Sequence, residues 1–78
     1  MTIYITEIYK NEVYKLTVNQ SVTGKELKKI YLTSLQEDFT KYRLRLIFNG
    51  CEIQDDQTIF SHGVCNDSKV QLIKNLID

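Results

Sequence analysis

A chain of 78 residues has room for one domain, spanning 1–78, because independently folding units rarely fall much below ~50 residues. With 42% hydrophobic and 26% charged residues it fits neither a disordered segment nor a disulfide scaffold nor a membrane span. Ten Lys+Arg balance ten Asp+Glu at a formal net charge of zero, which removes the electrostatic footprint of general nucleic-acid binding or polybasic membrane attachment, so neither partner is expected.

The opening MTIYITEIYK has no basic stretch followed by an apolar one, and no window approaches the ~20 apolar residues that cross a bilayer, so an intracellular protein is expected. Residues 1 to 8 alternate instead, with Met1, Ile3 and Ile5 on one face and Thr2, Tyr4 and Thr6 on the other, the signature of a half-buried strand. After a turn at Lys10-Asn11-Glu12, a second alternation places Tyr14, Leu16 and Val18 inward and Lys15 and Thr17 outward, which makes a hairpin. Thr23 followed by Glu26 is a capping box and predicts a helix start. Leu27, Ile30, Tyr31 and Leu35 then form one apolar stripe, and the helix is expected to end near Gln36. Gly24 in the first turn disfavours the helix by up to ~1 kcal/mol relative to Ala.

From Lys41 the chain is extended again. The run Arg43 to Phe48 closes on Asn49-Gly50, the strongest short-range hairpin signal in the sequence, and Cys51-Glu52-Ile53 is the return strand. Asp55-Asp56 and Ser61-His62-Gly63 are turns, and Ser68 to Lys74 alternates with Val70 and Leu72 on one side. No proline, internal repeat or low-complexity run marks a linker. Strand, strand, helix, strand, strand, strand describes an α+β domain with its helix crossing one face of a five-stranded sheet.

Catalysis needs a nucleophile, a base and a charge stabiliser within mutual reach, and one histidine, no Gly-rich phosphate loop and no serine motif do not supply them. His62, weighed as a general base, reads as a structural turn residue. Cys51 and Cys65 match no metal-ligand spacing and read as reduced thiols, Cys51 partly exposed and Cys65 a packing residue. No enzyme activity, metal or cofactor is expected.

The informative anomaly lies in the strands. Arg43 and Arg45 force their face of the strand toward water, and Ile47 goes with them. The same logic buries Val70 and Leu72 and leaves Gln71 and Ile73 outside. Scattered exposed apolar side chains are ordinary, but adjacency of the two strands makes these a patch, which Ile8 or Tyr9 would extend. Rimmed by Arg43, Arg45 and Lys74, such a centre suits a partner helix that carries apolar residues among acidic ones.

These residues carry a family resemblance. The opening Met1-x-Ile3-Tyr4-Ile5, the run Arg45-Leu46-Ile47-Phe48-Asn49-Gly50, then Ile53-Gln54-Asp55-Asp56-Gln57-Thr58-Ile59 and Val70-Gln71-Leu72-Ile73 resemble ubiquitin and its relatives over nearly the whole chain. Asp55-Asp56-Gln57-Thr58 and Ser61-His62-Gly63-Val64 most resemble the amino-terminal domains of ubiquilin-type proteasome shuttle proteins. The resemblance implies a β-grasp fold, a mixed sheet in which the last strand lies between the first and third. It implies too that Ile8, Ile47 and Ile73 form the apolar part of a docking surface bordered by Arg45, Gly50 and Gln71. Its implied partners are proteasome ubiquitin receptors, ubiquitin-interacting helices or ubiquitin-associated domains, met by a monomeric domain in cytoplasm or nucleus.

The sequence departs from the family in four places. Gln71 replaces the usual histidine, and the connection from helix to third strand is longer and lacks proline. Cys51 stands where ubiquitin has a chain-linking lysine, and the chain closes on Asn75-Leu76-Ile77-Asp78 where a conjugated modifier has a flexible tail ending in Gly-Gly. The expectation is a non-conjugated docking domain of a larger ubiquitin-pathway adaptor. The alternatives are a modifier whose glycine terminus lies beyond the given sequence and a purely structural, self-assembling domain.

Overall fold

Each stretch whose apolar residues recur at every second position is a strand in the computed structural model of the protein, which describes residues 1–77. Asp78, which ends the run Asn75-Leu76-Ile77-Asp78 compared with the family's Gly-Gly tail, lies outside the described residues. In chain order the elements are β1 (Thr2–Glu7), β2 (Glu12–Thr17), α1 (Gly24–Ser34), β3 (Tyr42–Phe48), β4 (Cys51–Ile53) and β5 (Lys69–Leu76), with single 3-10 turns at Phe39–Lys41 and Phe60–His62. The sheet runs β2-β1-β5-β3-β4, β1 and β5 parallel and the other pairs antiparallel. This is the mixed β-grasp sheet that the resemblance implies.

One sheet face packs on α1. Ile3 and Ile5 from β1, Leu44 and Leu46 from β3, and Val70 and Leu72 from β5 meet Leu27, Tyr31 and Leu32 of the helix, and all are buried. The capping box forms: Thr23 Oγ1 accepts from the Glu26 N–H at 3.3 Å while Glu26 Oε1 accepts from the Thr23 N–H at 3.0 Å. Gly24 has a packing reason to open this helix, since a Cβ there would lie 2.4 Å from the Gln54 carbonyl oxygen. Its backbone N–H donates to Gln57 O at 2.9 Å, fastening the helix start to the loop after β4.

The helix closes as expected near Gln36, through a Schellman arrangement in which Gln36 takes the left-handed position at φ 57°. The N–H of Gln36 donates to Thr33 O and that of Glu37 to Leu32 O, each at 3.0 Å. Leu32, which the four-residue stripe read from the sequence omits, is buried in the same core.

Three further boundaries differ. The first strand ends at Glu7, one residue short of the expected 8, and Glu7 faces the core at 3% exposure. A buried carboxylate is tolerated there because the Tyr31 hydroxyl donates to Glu7 Oε2 at 3.1 Å. The last strand starts at Lys69 and runs two residues past Lys74, to Leu76, because β3 offers it partners as far as Tyr42, which pairs with Leu76. Cys65 is exposed with its Sγ 3.4 Å from Ser68 Oγ, so it is not a packing residue: the turn into β5 directs it to solvent.

Candidate functional site

The face of the sheet opposite α1 carries the residues singled out by the alternating arginines. On β3 these are Arg43, Arg45 and Ile47, and on β5 Lys69, Gln71, Ile73 and Asn75. The register pairs Ile47 with Gln71 and Arg45 with Ile73, so the two isoleucines are diagonal neighbours on adjacent strands. Such pairs lie about 7–8 Å apart, within reach of one docking side chain. Thr6 of β1 pairs with Gln71 on the other side, and the Ile8 N–H donates to Leu72 O at 3.0 Å, which carries β1 one step beyond its end and sets Ile8 beside Ile73. Ile8 is 40% exposed, while Ile47 and Ile73, flanked on both sides by strands, are half-buried.

Two adjoining rows result: Thr6, Gln71, Ile47 and Glu52 across four strands, and Ile8, Ile73 and Arg45 beside them. The structure brings together all six residues read from the sequence as a surface: Ile8, Arg45, Ile47, Gly50, Gln71 and Ile73. At its upper edge Asn49 and Gly50 take φ 52° and 79°, the two left-handed conformations that a two-residue hairpin turn requires. A shallow depression beside them is lined by Thr6, Ile47, Asn49, Gly50, Lys69 and Gln71.

The charged rim differs from the sequence reading. Arg45 is engaged by Glu52 through two hydrogen bonds, Nη2 to Oε1 at 2.9 Å and Nε to Oε2 at 3.3 Å. This contact raises the guanidinium pKa above its ordinary value and holds the Glu52 carboxyl below the usual carboxylate range. Lys74 is not on the rim at all. It follows Val70 and Leu72 onto the helix side of β5, where its ammonium pairs with Glu37 and sits 4.4 Å from the centre of the Tyr42 ring. A charge faces inward because an acid and an aromatic ring, both distant in sequence, receive it there.

Other residues share this face. Val13 of β2 pairs with Thr6 and is 60% exposed. Tyr4 pairs with Lys15 on one side and Lys69 on the other. Alternation places Tyr4 and Lys15 outward, as read from the sequence, but only the parallel register of β1 and β5 brings Lys69 level with them.

Elsewhere, His62 contacts Gln57 Oε1 through Nε2 at 2.7 Å, a bond within its own loop. Cys51 and Cys65 are both free. Among the described residues no group of three or more His, Cys, Asp or Glu could hold a metal ion, and no helix is long and apolar enough to cross a membrane.

The model of the ubiquitin family matches residues 3–77. The chain belongs to the ubiquitin family. No curated protein matches it. Membership agrees with the β2-β1-β5-β3-β4 order and with the helix packed across it, and it gives this ubiquitin-like domain the general role of a protein-interaction module or a modifier.

Proposed function

We propose that this ubiquitin-like domain is a docking module that is not itself conjugated. Its occupants would be proteasome ubiquitin receptors, ubiquitin-interacting helices or ubiquitin-associated domains, and its setting an adaptor of the ubiquilin-type shuttle class in cytoplasm or nucleus. The observation that supports this reading is the gathering of Ile8, Ile47 and Ile73 on the outer faces of three adjacent strands, beside Arg45, Gly50 and Gln71. A small apolar centre with a polar border is how a helix with one apolar stripe is received. The shuttle assignment draws on Asp55 to Thr58 and Ser61 to Val64, and the first of these segments holds the start of α1: Lys28 Nζ meets Asp55 Oδ1 at 2.6 Å and Thr58 bridges Thr23.

Beyond Lys74 pairing continues to Leu76, and the Ile77 N–H donates to Lys41 O at 2.8 Å, so these residues are held against β3, and the glycine tail that the conjugation reading requires would have to follow Asp78.

The test is a titration of a ubiquitin-interacting helix and of a ubiquitin-associated domain into isotopically labelled protein, with the domain alone run in sedimentation as a monomer. Amide shifts are expected on β3, on β5 and at Ile8. Shifts confined to other surfaces would remove the site assignment, and thioester formation by a coding sequence that reads on to Gly-Gly past Asp78 would replace docking with conjugation.

A further inference from the structure

Resting on that docking surface, we infer that the outer face holds a second recognition element: the row Lys15–Tyr4–Lys69, which receives an acidic side chain of the segment docked on Ile8, Ile47 and Ile73. The register sets the three residues level on β2, β1 and β5 with Tyr4 in the middle. Strands lie about 4.8 Å apart, so the two lysine Cα atoms are about 10 Å apart across the tyrosine, and their four-carbon stems can close on one carboxylate above it. Both lysines are exposed, and among the described residues neither enters an ion pair.

Charge complementarity selects the occupant. The strand positions of this face carry Lys15, Arg43, Arg45 and Lys69 against Glu52 alone, and Glu52 is held by Arg45. Among the described residues, three cations are therefore left without an anion on one face of a chain whose formal net charge is zero. The docking face is basic and its counter-charge lies elsewhere on the molecule. A continuous path joins this row to the apolar centre, since Lys69 and Ile47 line the same depression. A partner that lays its apolar residues on Ile47 and Ile73 therefore brings its flanking residues over Lys69 and Tyr4. The partner class is an acidic amphipathic segment whose carboxylates lie to the β1–β2 side of its apolar anchors. Arg45, already satisfied by Glu52, contributes little to that selection, whereas the free lysines steer the encounter.

The experiment uses two synthetic amphipathic helical peptides with the same apolar residues, one flanked by glutamates and the other by glutamines, titrated into the labelled domain. The glutamate peptide should bind about fivefold tighter or more at low ionic strength, lose that advantage as salt is added, and shift the amides of Tyr4, Lys15 and Lys69. The double variant Lys15→Glu/Lys69→Glu should abolish the advantage while leaving the glutamine peptide's affinity unchanged, and Lys15→Gln/Lys69→Gln should reduce it part-way with less risk to the fold. If the double variants bind the glutamate peptide as tightly as the parent while Ile47→Ala weakens both peptides, the lysine row is wrong and the apolar patch stands. If Ile47→Ala leaves both peptides unaffected, the patch reading fails and takes the row with it.

Discussion

Leu46 and Ile47 are neighbours in the chain whose side chains leave β3 in opposite directions, and the same truncation at each should give opposite phenotypes. Leu46 is fully buried under α1, so Leu46→Ala should lose about 2–5 kcal/mol of folding stability, read from a urea titration. Ile47 is half-buried on the outer face, and Ile47→Ala should lose about 1 kcal/mol or less while weakening docking by about 1–2 kcal/mol, close to tenfold in affinity. A strongly destabilised Ile47→Ala would contradict the register that pairs Ile47 with Gln71. Gly24 makes a different kind of claim. Alanine is the better helix former by about 1 kcal/mol, yet its Cβ would press on the Gln54 carbonyl, so Gly24→Ala should lower the urea midpoint where propensity alone says it should rise.

At the scale of elements, the two ends of α1 are built unequally. Its start has a complete capping box, a glycine that allows close approach and an N–H fastened to Gln57, whereas its end places Gln36 in a left-handed conformation that side chains resist. Gln36→Gly should therefore raise stability by about 0.5–1 kcal/mol, measured as a higher thermal midpoint with the sheet's amide spectrum unchanged. The hairpin at Asn49-Gly50 and the capping box were both legible because each is a local device: the residues that make it lie within four positions of one another. Strands β1, β3 and β5 were legible for a related reason, since packing one face on a helix writes alternation into each. The bond from Arg45 to Glu52 crosses a hairpin and left no such local mark.

For the molecule as a whole, what escaped the sequence was long-range pairing of charge. Glu7 faces inward because of Tyr31, 24 positions away, and Lys74 because of Glu37, 37 positions away. The rule that charges point to water read the wrong side for Lys74, whereas alternation did place Arg43, Arg45, Ile47, Gln71 and Ile73 on the outer face of the sheet. Two tyrosines near Glu7 contribute a response to alkali. The Tyr14 hydroxyl is pushed up to about 12 from 10.0, first by its hydrogen bond to Glu12 and then by burial. Tyr31, edge-on to Tyr14 with ring centres 5.4 Å apart, is pushed up by burial and next by the Glu7 charge. A tyrosine with a raised folded value keeps its proton after the unfolded chain has lost it, so the unfolded state binds fewer protons and stability falls as pH rises. The contribution is complete below pH 10 and declines from there through about 12 for Tyr14. Denaturant midpoints should drop across this window, in step with tyrosinate absorbance of the unfolded fraction, and Tyr14→Phe should flatten the drop.

The central place of β5 has a consequence for synthesis. It is made after the other four strands, yet it lies between β1 and β3, and among the described residues it supplies the strand pairing that links the β1–β2 hairpin to the β3–β4 hairpin. While a ribosome still holds residues 69–76, the emerged chain consists of two hairpins and a helix with no common strand, and the apolar faces of β1 and β3 have nothing between them. Domain formation is thus deferred until translation has carried Leu72 clear of the exit tunnel, and Ile47 and Ile73 become one surface only at that moment. Before that, the nascent chain presents only the Ile8 and Ile47 part of the proposed docking surface.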